Sequence, residues 1–373
     1  MVQVGVGTLV SGGSTEGRVE EKLRELTGRR FVHLCGSGTA AIMFALRAMH
    51  VPRGSEVLMP ALLCVNPGSA TIYAGCRPAF CDVEKETYNI SLASLEASIT
   101  PRTKCILAVH EHGEPCDIEG VVNIAQKHKI PVIEDSAKTL GIEIASGHAG
   151  GFGDMSIFSF GRGKPVEIEG GGGAVATDDP QLASRLQRLI NTHTYTAVDE
   201  DIFYKVHRAL FYATRDTSLS DPTILKQYGR FVEVFRDWYI RSPKGLHWDE
   251  LEKELGNISE NIEARRKTAA LYKKILSGSV AKTPRYTGKG SYVRYPVLVG
   301  NSGTLGPRLR KLGFDSNELI PPVNNMFNPE DPLSTFANSE YVYSRQLILW
   351  AYSDAERVKK CAEAVKEVAT PPS

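Results

Sequence analysis

The feature that most constrains the fold is an alternation, over roughly the first 180 residues, of short apolar runs with helix-length segments. The runs are Arg30–Cys35, Glu56–Pro60, Pro78–Val83, Lys104–His110, Ile130–Asp135, Met155–Phe160 and Gly172–Thr177. Helical periodicity fills intervals such as Thr39–Met49 and Ile118–His128. Near-continuous apolar strands are buried on both faces, and strands separated by a helix pair in parallel through a crossover. The pattern predicts an α/β fold, a mostly parallel central sheet with helices on both faces.

From Thr192 to about Gly256 the alternation stops. The segment is charged and aromatic (Phe203, Tyr204, Phe211, Tyr212, Phe231, Phe235, Trp238, Tyr239, Trp248) and reads as helices and loops. The helical spacing of Phe231, Phe235, Trp238 and Tyr239 points to core or subunit packing. A long helix follows over Asn257–Leu276, with a charged face at Glu260–Lys274 that reads as solvated. Then come a strand at Tyr292–Val299, a helix at Leu305–Leu312, a loop around Pro321-Pro322 and a closing helix at Asp354–Val368. The expected division is a large domain over residues 1–250, with an N-terminal arm and the atypical helical segment 192–256. A smaller α+β domain spans 251–373.

Composition narrows the function. Lys plus Arg number 44 against 43 Asp plus Glu, which leaves no global field to steer a nucleic acid. No apolar stretch approaches a membrane span, and Met1–Val10 lacks the basic start of a signal peptide. The 7 cysteines include no C-x-x-C pair, which argues against a disulfide framework or zinc and for a cytoplasmic protein. His110 and His112 have no apparent third ligand, so no metal site is expected.

Three short motifs carry chemistry. Gly36-Ser37-Gly38-Thr39-Ala40-Ala41 follows a strand and opens a helix. Its free N–H groups, the helix dipole and two hydroxyls suit a phosphate, although an ordinary strand–helix turn has the same look. In Pro131-Val-Ile-Glu-Asp135 an apolar strand ends on a carboxylate pair. A buried Asp135 there needs a partner, either a salt bridge or a protonated heterocycle, while Glu134 points to the opposite side and reads as structural. In Ser159-Phe-Gly-Arg162-Gly-Lys164 a glycine-flanked turn presents a lysine that desolvation can leave unprotonated. Taken together, a phosphate seat, a strand-end Asp and a turn lysine are the parts needed to hold pyridoxal 5'-phosphate.

With these motifs the sequence resembles the DegT/DnrJ/EryC1/StrS aminotransferases, sugar aminotransferases of the fold-type I pyridoxal-phosphate class. The resemblance runs from about Gly12 to Leu189 and more thinly from Leu255 onward. It is carried by Ser37–Ala41, Glu56–Pro60, Pro101–Lys104, His110–Pro115, Glu134-Asp135, Gly153-Asp154, Phe158–Phe160, Lys164 and Gly172–Val175. It implies that Lys164 binds the cofactor covalently and that Asp135 pairs with the pyridine nitrogen. Gly38, Thr39 and Ser159 would bind phosphate. Asn191 would reach the cofactor phosphate of a neighbouring subunit in a homodimer with interfacial sites. His110 and Arg162 are candidates for substrate contact. The implied reaction moves an amino group, with glutamate as the expected donor, to a keto-sugar, expected to be nucleotide-linked, by ping-pong chemistry.

The departures from the family pattern are equally specific. Cys64 stands where an aromatic residue usually stacks on the cofactor ring. Lys138 replaces the Gln or Glu that usually touches the cofactor's phenolic oxygen; it would donate to that oxygen or point to solvent. Gly161-Arg162-Gly163 replaces the usual His-Pro-Thr, and Thr192–Gly256 replaces the usual Asn-x-Arg-Met segment. These differences keep two alternatives open: another pyridoxal-phosphate reaction on a sugar (a dehydratase or lyase), and a non-catalytic cofactor-binding homologue. The sugar dehydratases usually carry His in place of the lysine, so Lys164 speaks against that version.

Overall fold

The computed structural model describes residues 13–144, 146–196, 205–206, 232–317, 323, 327, 335–351 and 354–372. The expected arm, the aromatic residues Phe203, Tyr204, Phe211, Tyr212 and Phe231, and the Pro321-Pro322 loop lie outside them.

The first helix, α1 (Thr15–Thr27), starts where the Ser14 side chain accepts from the Gly17 N–H at 3.1 Å, and stops at Gly28 with φ 71°. Only a residue without Cβ takes that left-handed conformation cheaply. It is followed by β1 (Phe31–Cys35), α2 (Gly38–Ala48), β2 (Glu56–Pro60), α3 (Val65–Tyr73) and β3 (Arg77–Cys81). Next come α4 (Leu92–Ser98), β4 (Thr103–Val109), α5 (Ile118–His128) and β5 (Val132–Asp135). A small hairpin, β6 (Glu143–Ile144) and β7 (Gly147–His148), precedes β8 (Met155–Ser159), β9 (Gly173–Thr177) and α6 (Pro180–Thr192).

Seven strands form one sheet in the order β1-β9-β8-β5-β4-β2-β3. Both pairs made by β9 are antiparallel and the other four are parallel. The mostly parallel α/β sheet expected from the alternation is therefore present. Alternate residues explain its two covered faces. Val57, Met59, Cys105 and Leu107 pack with Met43 and Phe44 of α2 in one core. Leu58, Ile106 and Ala108 pack with Val121 and Ile124 of α5 in another. Each fully buried Leu, Ile or Phe side chain in these layers stabilises by about 1.5–3 kcal/mol.

Several element boundaries differ by a few residues from those expected, and for the third strand the reason is identifiable. The third strand ends at Cys81 rather than Val83, because the Asp82 carboxylate turns the chain. It accepts from its neighbour Val83 N–H at 2.8 Å, from Ser339 N–H at 2.8 Å and from Asn338 N–H at 2.9 Å. The helix expected at Leu305–Leu312 spans Ser302–Lys311 and carries Pro307 inside it.

In the second half, helix Ile258–Leu276 and the closing helix Ala355–Val368 cover a sheet of order β10-β12-β11 (β10 Arg294–Leu298, β11 Ser316–Asn317, β12 Gln346–Trp350). Helix Trp248–Gly256 buries Trp248, Leu251 and Leu255 against Val19 and Leu23 of α1. A boundary at residue 250 would cut this helix. Its packing proposes a division further along, after the start of the long helix.

The sheet register positions the site. Asp135 lies beside Val109 and Ile157, and Ser159 pairs with Gly173, which also pairs with Cys35. The carboxyl ends of β1, β5 and β8 therefore meet along one edge, which is where open α/β sheets bind ligands.

Candidate active site

A cavity of about 740 Å³ opens at this edge. Its lining includes Ser37, Gly38 and Thr39 at the start of α2, Asp135 at the end of β5, Ser159 at the end of β8, and Arg162 and Lys164 on the following turn. Cys64, which precedes α3, is also on the wall. The fold thus brings six expected cofactor residues and one expected substrate residue into one space.

Local structure explains the α2 end. Ser37 is extended, its hydroxyl oxygen accepts from Ala40 N–H at 3.0 Å, and it leaves the first helical N–H groups directed outward. A Cβ on Gly38 would lie 2.7 Å from the Ser159 Cβ, so only glycine lets the helix start approach the end of β8 this closely.

Asp135 and Lys164 both line the cavity, and each feels the other's charge. Burial pushes the Asp135 carboxyl above its ordinary range, while the Lys164 charge works against that rise. Burial pushes the Lys164 ammonium down, the Lys138 charge adds to the fall, and Cys64 and Asp135 oppose it. The result is an ammonium that gives up its proton more readily than a solvated lysine does.

Three expected site residues stand elsewhere. His110 is fully buried; one ring nitrogen lies 2.9 Å from the Glu134 carboxylate and the other accepts from Cys116 N–H at 3.0 Å. With both nitrogens engaged it has no group to offer a substrate, which corrects its expected role: it is a strut. Its partner Glu134 accepts from Gly150 N–H at 2.7 Å and Phe152 N–H at 2.9 Å, the structural task expected of it. Lys138 neither donates into the cavity nor points to solvent. Its ammonium is tied to Glu111 in a buried ion pair, which corrects its assignment as a cofactor contact. Asn191 is exposed on the last turn of α6 and does not line this chain's cavity.

The Lys138 pair belongs to a buried cluster. Burial alone would raise the Glu111 carboxyl, but Lys138 and then His112 outweigh it and hold it at about 2. Burial drives His112 down to about 3, against the pull of Glu111 and with the push of Lys138 and Arg294. Both groups bind protons more readily in the unfolded chain, so the stability they contribute is full above about pH 6.5 and drains away as pH falls toward 3. We expect His112→Asn, which suits its φ of 54°, to flatten the loss of unfolding midpoint between pH 7 and pH 4.5. An unchanged pH slope in denaturant titrations would refute this.

Sequence reasoning missed Trp238, Tyr239 and Arg241, which line the cavity from the atypical segment. The Ser37 hydroxyl donates to the Tyr239 carbonyl, and Arg241 Nε donates to the Gly36 carbonyl at 3.1 Å. Packing does hold for part of the aromatic group: Phe235 is buried and Tyr239 packs on the main core. Only Gly36, which takes the Arg241 backbone at a distance no Cβ allows, hinted at this contact. Among the described residues no group of three or more His, Cys, Asp or Glu could hold a metal, and no helix is long and apolar enough to cross a membrane.

Comparison with known proteins agrees with this geometry. Residues 3–215 match the model of the DegT/DnrJ/EryC1/StrS aminotransferase family. Over 206 residues, 54% of this chain and 56% of the relative, the sequence is 37% identical to a UDP-N-acetyl-3-dehydro-alpha-D-glucosamine 3-aminotransferase of Acidithiobacillus ferrooxidans. Over 170 residues, 46% of each chain, it is 35% identical to a GDP-perosamine synthase of Caulobacter vibrioides. The match thus spans about half the length of these curated relatives. The fold as a whole superposes on a DegT DnrJ EryC1 StrS aminotransferase from Brucella abortus with a TM-score of 0.74 and 22% identity, covering 95% of this chain and 91% of that one.

Proposed function

The chain belongs to the DegT/DnrJ/EryC1/StrS aminotransferase family, and on that premise we propose that it is a pyridoxal-phosphate-dependent aminotransferase acting on a nucleotide-linked keto-sugar, with glutamate as donor. One observation carries the reading: Lys164 and Asp135 line the same cavity as the amino end of α2. The donor set fits the cofactor. A helix start with the Thr39 and Ser159 hydroxyls suits a phosphate dianion, a buried carboxylate suits a ring N–H, and a lysine with a lowered pKa suits covalent attachment.

Pyridoxal phosphate bound here would supply an electron sink and a carrier for the amino group. This chain's residues do the rest. Gly38 N–H, Thr39 and Ser159 would hold the phosphate. Asp135, desolvated and so made more basic, would pair with the ring nitrogen and favour its protonated form. Lys164, whose ammonium burial and then Lys138 make easier to deprotonate, would take a proton from the substrate carbon and deliver it to the carbon that receives the amino group, the step for which a positioned base is worth about 10²–10⁴-fold. Cys64 leaves room where an aromatic side chain would stack. Trp238 and Tyr239 supply apolar wall on the side toward α2. A second copy of the chain completes the site with Asn191, in a cytoplasmic homodimer.

Mixed with L-glutamate and no acceptor, the cofactor-loaded protein is expected to release 2-oxoglutarate in a single stoichiometric burst. A dehydratase or lyase gives none, and neither does a non-catalytic homologue. Absence of the burst with glutamate and with glutamine would reject the proposal.

A further inference from the structure

A second cavity, of about 710 Å³, lies between the carboxyl-terminal ends of α2 and α3 and the middle of α6. It shares no lining residue with the active-site cavity. Arg47, on its wall, stands nine residues beyond Gly38 on α2, about 14 Å along the axis at 1.5 Å per residue. Arg53, Arg185, Arg188 and His50 line it as well, and among the described residues no acid does.

Three of the four arginines are fixed in place. Arg47 Nη2 donates to the Tyr73 carbonyl, at the last residue of α3, at 2.8 Å. Arg185 Nη1 donates to the Ala48 carbonyl, at the last residue of α2, at 3.1 Å. The Arg53 Cζ lies 2.9 Å from where a Cβ on Gly75 would be, and Gly75 has φ 86°, so a glycine lets this guanidinium rest against the chain. A guanidinium has five N–H donors, and Arg47 and Arg185 each use one among the described residues. None of the four makes an ion pair among those residues. Burial first, and then the Arg236 and Arg53 charges, disfavour the charged form of Arg47.

Converging cations with no counter-charge repel one another. An anion between them removes that cost and is held by charge-assisted hydrogen bonds. A single phosphate, at about −2, leaves half of four cations unmatched, and a diphosphate comes nearer to balancing them. The volume is that of a small-molecule pocket, and Val51 and Leu189 add apolar wall.

We infer that this cleft binds a small molecule carrying two linked phosphates, at a site separate from the active site. The inference goes beyond the aminotransferase reading and does not depend on it. Two sources carry that chemistry, a nucleoside diphosphate and inorganic pyrophosphate, and the test separates them.

Cofactor-loaded wild type and the double variant Arg53→Gln, Arg188→Gln are titrated calorimetrically with pyrophosphate and with ADP. Both side chains are exposed and take no part in the helix-end contacts, so the variant is expected to keep the wild-type unfolding midpoint and 2-oxoglutarate burst. Wild type is expected to bind pyrophosphate, and the variant to bind it at least about tenfold more weakly. If ADP binds wild type about tenfold or more tightly than pyrophosphate, and the variant loses that binding too, the occupant is a nucleotide; if ADP is no tighter, it is the inorganic ion. The double variant Arg53→Lys, Arg188→Lys keeps the charges without the forks, is expected to fall between the other two, and serves if the glutamine variant is unstable. Binding of both probes by the glutamine variant within about threefold of wild type, or of neither by wild type at about 1 mM, overturns the inference. So does a variant that sediments as a monomer where wild type, taking up neither probe, is a dimer, since the arginines then serve a contact between copies. Absence of the glutamate burst in wild type would reject the proposed function and leave these titrations standing.

Discussion

Lys164→Ala is expected to abolish amino transfer from L-glutamate, by at least about 10³-fold, and to remove the absorption of the lysine-bound cofactor. The side chain has two tasks that no neighbour can take over. Lys138 is the nearest candidate by its effect on Lys164, but its ammonium is held by Glu111. Arg162 and Arg241 line the cavity, yet guanidinium groups do not give up a proton. Loss of activity will not reflect loss of fold. The substitution removes an amine that burial and Lys138 already disfavour in its charged form, so the unfolding midpoint should be no lower than that of wild type. Turnover above about a hundredth of the wild-type rate, measured as 2-oxoglutarate release, would refute the assignment.

Lys138→Ala is expected to be the most destabilising change near the site, at about 3–5 kcal/mol by denaturant titration, because it leaves the Glu111 carboxylate buried and uncompensated. The second carboxylate oxygen of Glu111 lacks a hydrogen-bond partner, and His112, 3.7 Å from the first, is pushed by burial toward its neutral form, so neither makes up for the lost ammonium. Removing both charges at once, as Lys138→Met with Glu111→Leu, should recover most of the loss, since an apolar pair of similar size is often as stable as a buried ion pair. The double variant then serves as a probe of chemistry. The Lys138 charge lowers the Lys164 pKa, so its removal should move the pH profile of the glutamate half-reaction toward higher pH. A Lys138→Ala variant with the wild-type midpoint, or a double variant with an unmoved profile, would show the pair to be inert.

Much of this was legible in the chain. The strand Glu56–Pro60 and the helix Ile118–His128 stand where the hydrophobic pattern places them, because burial on two faces demands unbroken apolar runs and burial on one face demands a 3.6-residue period. Gly38, Thr39, Asp135 and Ser159 occupy the ends of such elements and Lys164 the turn after one, positions where backbone groups are left free and ligands bind, and that is why the sequence offers them as candidates. Local chemistry read along the chain is enough to mark such positions.

The places of His110, Lys138 and Arg241 were not legible. His110 lies 24 residues from Glu134, Lys138 lies 27 from Glu111, and Arg241 lies 205 from the Gly36 carbonyl it reaches. The order of the strands brings these partners together, and a single sequence carries no trace of that order at any one residue. The chain by itself determined the element types and the polar groups offered at their ends. Only the tertiary structure decided which charges are matched and which are left for a ligand, because pairing and desolvation depend on distance in space rather than along the chain.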